Sequence, residues 1–77
     1  MVNEDRVVRV GSWVQVRDGE IEEGWRIVTS LEADAARRMI SEETPLARAL
    51  LGRAVGEVVS VRGPQGGRWP VTILSVE

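Results

Sequence analysis

Thr44-Pro45-Leu46-Ala47-Arg48-Ala49-Leu50-Leu51-Gly52 carries the start, body and end of one helix in a single short run. Thr44 is an N-cap whose hydroxyl can accept a backbone N–H, and Pro45 sits at the first helical position, where its missing donor costs nothing. Leu46, Ala49 and Leu50 fall at i, i+3 and i+4, with Ala47 and Leu51 alongside. Gly52 stands where a left-handed residue ends a helix. The spacing predicts a two-turn helix over residues 45–51. A helix that short is well below the ~12–15 residues at which isolated helices become marginally stable. It must therefore be held by packing on a sheet.

Outward from that helix the period changes to two. Val59 and Val61 alternate with Ser60 and Arg62, so residues 58–62 read as a strand. Gly63-Pro64-Gln65-Gly66-Gly67 reads as a hairpin loop, and the chain returns over residues 68–76 with Val71 and Ile73 inward. Leu74 and Val76 break that phase, which predicts a bulge near Ile73-Leu74. Pro70 lacks a ladder donor and suits an edge position. On the other side, Met39-Ile40-Ser41 and Trp25-Arg26-Ile27-Val28 read as short strands. Residues 7–16 alternate as well, split into two short strands by Gly11-Ser12. Asp18-Gly19 reads as a turn that the acidic run Glu20–Glu23 and Gly24 extends into a loop. Residues 29–38 lack a broad apolar stripe and read as a surface loop with one turn. The expected fold is α+β: a small antiparallel sheet with one short helix packed on one face. Residues 1–6 read as a flexible N-terminal lead and residues 7–77 as one domain.

Composition narrows the chemistry. Seventy-seven residues with 43% hydrophobic and 29% charged side chains make one small folded domain, able to bury about 60% of its unfolded surface. Cysteine and histidine are both absent. That excludes disulfides, thiolate nucleophiles, Ser-His-Asp triads and most zinc chemistry. The net charge is −2 and every one of the ten positive side chains is arginine, so the basic excess of a free-standing nucleic-acid binder is missing. No apolar run approaches the ~20 residues of a membrane span, and the polar, acidic start is no signal peptide. The expected compartment is the cytoplasm.

Several features invite a chemical reading and do not sustain it. Glu20, Glu22 and Glu23 lack ligand spacing for a cation and read as a solvated turn. The Gly63–Gly67 loop lacks the Gly-Lys-Ser/Thr ending of a phosphate loop and leads into a strand. Trp25 and Trp69 read as core; Trp13, out of phase with Val14 and Val16, reads equally as core or as a platform for a partner. The mixed-charge stretch around Glu32, Asp34, Arg37 and Arg38 is long for a loop in so small a domain, and long loops in compact domains are often functional.

The run Trp25-Arg26-Ile27-Val28, Glu32-Ala33-Asp34, Ile40-Ser41 and Thr44–Gly52 closely resembles the C-terminal domain of the bacterial elongation and transcript-cleavage factors GreA and GreB. Val10–Val14, Val55–Val59 and Gly63–Gly67 look like that family's first strands and final hairpin, so the resemblance covers nearly all of residues 7–77. It implies an FKBP-like domain that docks on RNA polymerase at the rim of the secondary channel and modulates transcription. Carried over by position, the docking residues are Leu31, Glu32, Ala33 and Asp34 in the loop, with Thr44 and Pro45 at the helix start. Leu31 stands where the family commonly has an acidic residue. Thr44 stands where it commonly has serine, which keeps a capping hydroxyl. The cleavage-stimulating members act through an N-terminal coiled-coil finger that holds a catalytic metal, and no heptad pattern occurs in these residues. The expectation is thus a non-catalytic domain with RNA polymerase as partner, no cofactor, no metal, and nucleic-acid contact only through the polymerase. It is either a fragment of a longer factor or a natural finger-less module. Two alternatives from other classes are a prolyl isomerase, which needs clustered aromatics that a chain without Tyr or Phe lacks, and a self-associating module using the sheet face around Trp13.

Overall fold

The computed structural model describes residues 6–63 and 65–77. Its strands are β1 (Trp13–Asp18), β2 (Ile21–Val28), β3 (Met39–Ser41), β4 (Val58–Arg62) and β5 (Arg68–Val76), with one helix, α1 (Pro45–Leu50), between β3 and β4. They form one sheet in the order β3-β2-β1-β5-β4. Three pairs are antiparallel, but β2 and β3 run parallel, so the sheet is mixed and the expectation of a wholly antiparallel one is corrected. The reason is the loop over residues 29–38. Parallel neighbours need a crossover, and this segment supplies it through two single 3-10 turns, Ser30–Glu32 and Ala35–Arg37.

Two further expectations are corrected. The acidic run is no loop: the β1–β2 turn tightens to Gly19-Glu20, with Gly19 at φ +64°, and the strand begins at Ile21. Residues 21–25 pair with β1 alone, so this half of the ribbon tolerates charge. Glu22 meets Arg17 across the strands at 3.3 Å. The first expected strand also fails to form, leaving only a bridge between Val7 and Ala54. Val8 is nevertheless buried, tied by its N–H to Arg53 O and by its carbonyl to Gly52 N, so the N-terminal segment plugs the core without joining the sheet.

The core lies between α1 and the sheet: Ala47 and Leu50 of the helix meet Val14, Val16, Ile27, Val59, Val61, Val71, Ile73 and Val76. The helix stops one residue short of expectation, at Leu50. Leu51 still donates to Ala47 O, and Gly52 takes the left-handed φ of +81°. The expected bulge is present, because Gln15 pairs with Ser75 and Val16 with Ile73, leaving Leu74 as the extra residue. Pro70 is not on an edge strand, since β5 lies between β1 and β4. The β1 pairing ends at Thr72, however, so Pro70 has a neighbour, Ser60, on one side only. Residues 1–5 and Pro64 lie outside the described residues. Arg6, the remaining member of the expected N-terminal lead, donates to Val76 O at 3.4 Å. Among the described residues no helix is long and apolar enough to cross a membrane.

Candidate partner-docking surface

The parallel pair brings two separated segments to one end of the sheet. Val28 and Ser41 are register partners at the ends of β2 and β3, and Glu42 N–H donates to Val28 O at 2.8 Å. From Val28 the chain enters the turn carrying Leu31; from Ser41 it enters the cap and first residue of α1. Leu31–Asp34 and Thr44–Pro45 therefore leave from adjacent strand ends.

Each segment is fixed by its own polar groups. Glu32 N–H bonds Thr29 O at 3.0 Å and its carboxylate accepts from the Thr29 hydroxyl at 3.2 Å. This turn holds Leu31 at its tip, 97% exposed. Ala33 is extended and exposed. Asp34 accepts Ala36 N–H on its side chain at 3.1 Å and exchanges two backbone bonds with Met39, at 2.9 and 3.0 Å. Its carboxylate is thus a turn cap, with Arg37 3.7 Å away. Thr44 Oγ1 accepts Ala47 N–H at 3.2 Å and donates to Ser41 O at 3.0 Å, and Pro45 follows exposed at the first helical position. Thr44→Ala is expected to lower stability by about 1 kcal/mol and Thr44→Ser to preserve it; denaturant titration of the three proteins checks this.

Arg38 is the residue that the sequence reading undervalued. It has φ +61°, the one non-glycine residue in the left-handed region among those described. Its guanidinium stacks 3.8 Å from the Trp25 ring centroid, while Nε donates to Gly24 O at 3.1 Å and Nη2 meets Glu23 at 2.9 Å. Arg38 N–H and carbonyl close the second turn and bond Arg26 N–H. The clamp holds the crossover down against β2. Its partners lie fourteen and fifteen residues back in the chain, where no local sequence signal points to them.

No side chain among the described polar and charged residues is buried. Among the described residues no three of His, Cys, Asp and Glu gather where a metal would be held. The tryptophans are dispersed. Trp25 pairs with Val14 on the core face, whereas Trp13, one residue out of phase, lies over Gly24 on the other face. Trp69 stands at the far hairpin, 37% exposed and against Gly63, not buried with Val71 as expected.

Residues 3–77 match the family model described as "Transcription elongation factor, GreA/GreB, C-term". The chain is 38% identical over 76 residues to the transcription elongation factor GreA of Staphylococcus epidermidis, covering 96% of this chain and 48% of that protein. It is 49% identical over 67 residues to GreA of Alkaliphilus oremlandii, covering 84% and 42%. The solved structure of Thermus aquaticus Gfh1 superposes with a TM-score of 0.80 at 28% identity, over 94% of this chain and 48% of that one. The chain thus spans about half the length of the curated relatives it matches. The mixed five-stranded curled sheet with one short helix is the FKBP-like α+β fold of those C-terminal domains. This chain belongs to the GreA/GreB family of transcription elongation factors, as a C-terminal domain of that family.

Proposed function

We propose that the domain binds bacterial RNA polymerase at the rim of its secondary channel and modulates transcript elongation as a docking module, without performing a reaction itself. The observation that carries this reading is Leu31, 97% exposed at the tip of a turn locked on both sides. A lone exposed leucine is ordinary on a protein surface. This one is set by a tight turn beside Glu32, at the same sheet end as Pro45. A pre-ordered turn loses little entropy when a partner covers it. Burying the leucine side chain contributes about 1.5–3 kcal/mol. The compartment that goes with this partner is the cytoplasm.

Biolayer interferometry against purified bacterial core RNA polymerase is the direct test. Leu31→Ala is expected to weaken binding about tenfold or more, with an unchanged thermal melt because the side chain is exposed. Glu32→Arg is expected to weaken binding too, and it also removes the bond from the Thr29 hydroxyl. Asp34 is a poorer probe, since its carboxylate also caps a turn. Failure of the wild-type domain to bind, or full binding by both variants, overturns the proposal.

A further inference from the structure

The two ends of the sheet are finished differently. At β3 the edge is covered by the crossover, through the Asp34–Met39 bridge. At β4 it is open. Ser60 lies opposite Pro70, which has no N–H, so this position belongs to the pairs that do not bond each other. The same alternation appears one step beyond the strand, where Gly63 N–H bonds Gly67 O at 2.7 Å. Val59 and Val61 therefore bond β5, while Val58, Ser60 and Arg62 point their N–H and C=O groups out of the sheet. None of these outward groups bonds another described residue outside the sheet ladder. Val58 is 63% exposed beside them.

Positive charge is concentrated along this edge. Arg62 and Arg68 are direct cross-strand partners, an arrangement that like charges disfavour. A depression of about 330 Å³ between α1 and β4 is lined by Arg48 and Arg62, with Glu43 the one carboxylate in it. Among the described residues Arg48, Arg62 and Arg68 are in no ion pair, as is also true of Arg6, Arg9 and Arg26 elsewhere. What sets the edge apart is the direct Arg62–Arg68 pairing beside Arg48. A single charge suffices to keep an edge strand from aggregating. Two guanidinium groups set against each other go beyond that need.

We infer that the β4 edge accepts an extended acidic peptide segment of a partner protein, which adds to the sheet as a sixth strand and places its carboxylates against Arg48, Arg62 and Arg68. Alternating donors and acceptors match a peptide backbone. A phosphate backbone would leave the outward carbonyls unmatched. A second copy of this chain would bring the same positive charge to the edge. Leu31 belongs to the crossover at the opposite edge of the sheet, although Pro45 also lines the depression. The β4 edge and its arginines carry this inference, and Leu31→Ala separates it from the polymerase proposal.

The test uses a fluorescein-labelled peptide of about eight residues alternating glutamate and valine, long enough for one strand. Fluorescence anisotropy is expected to show saturable binding, and amide hydrogen exchange to slow about tenfold or more at Val58, Ser60 and Arg62. Arg62→Glu is expected to weaken binding about tenfold or more while its melting midpoint stays at or above that of the wild type, because the like-charge pair is relieved. Leu31→Ala is expected to leave peptide binding unchanged. N-methylation of alternate peptide amides is expected to abolish it. No saturable binding up to about 1 mM peptide, binding that survives N-methylation, tighter binding of a single-stranded oligonucleotide, or protection of the β4 amides by self-association without peptide would each overturn the inference.

Discussion

Leu50→Ala is expected to destabilise the domain by about 2–5 kcal/mol, the range for truncating a fully buried leucine. Leu50 has no exposed surface and sits with Ala47 at the centre of the helix–sheet contact. The six-residue helix cannot hold itself. Its cap is worth about 1 kcal/mol, so the remainder comes from burial of this one side chain and its small neighbours. A 77-residue domain has a total stability of only about 4–12 kcal/mol. The substitution therefore removes a large share of it. At about 4–8 °C per kcal/mol for a domain of this size, the midpoint should fall by at least about 8 °C. Loss should also be cooperative: Val59 and Val61 lie under the helix, so far-UV circular dichroism and tryptophan fluorescence should report one transition. A loss below about 1 kcal/mol would show that the N-terminal plug around Val8, and not the helix, closes the core.

What was legible in the sequence was what is local. Thr44, Pro45, the i, i+3, i+4 spacing and Gly52 lie within one short run, and the observed helix differs by a residue at its end. The β4–β5 hairpin was equally open, because period-two segments flank a glycine-rich link. Even the bulge at Leu74 was written as a phase break. The misses share a cause. Ile21–Glu23 looks like a loop because it is the start of a segment that pairs with β1 alone, where Ile21 and Glu22 are exposed and Glu22 meets Arg17 across the strands, so the alternation there is not apolar against polar. The parallel placement of β3 depends on where residues 29–38 return, and three residues are too few to announce a direction. Val8 lies within the alternating stretch, yet it is tied by hydrogen bonds to a loop more than forty residues away instead of joining the sheet, which alternation alone does not show.

The proposed docking surface divides along the same line. That the loop over residues 29–38 deserved notice followed from its length, and the cap at Thr44 from its neighbours. That Leu31 stands clear while Asp34 is committed to a cap and a bridge came only from the fold. Arg38 shows the limit most plainly. Beside Arg37 in sequence it reads as one of two solvated charges, yet its left-handed backbone, its stack on Trp25 and its bond to Gly24 O make it part of the framework. No property of residues 36–40 distinguishes the two arginines.

Gly24→Ala is expected to destabilise by about 1–3 kcal/mol, the cost of overpacking, against the usual sign for glycine in a strand, where alanine gains about 0.5–1 kcal/mol. Gly24 carries no positive φ, so its backbone would accept a side chain. The obstacle is Trp13, whose indole lies directly over it: an added Cβ would overlap the ring and come within 2.8 Å of Gln15 Oε1. Arg26, register partner of Trp13, holds its guanidinium 6.0 Å from the ring centroid on the same side. Swinging the indole away would give up the packing over Gly24 and this contact with Arg26. A double-mutant cycle isolates the effect. In a Trp13→Ala background the overlap is gone, and Gly24→Ala should become neutral or stabilising, giving a coupling of about 1–3 kcal/mol between the two sites. Additive effects, within about 0.5 kcal/mol, would mean that the ring leaves Gly24 freely and is available to a partner. Strong coupling assigns Trp13 to the sheet itself: the large side chain covers the gap that a glycine leaves, and the glycine is there because the indole needs the space.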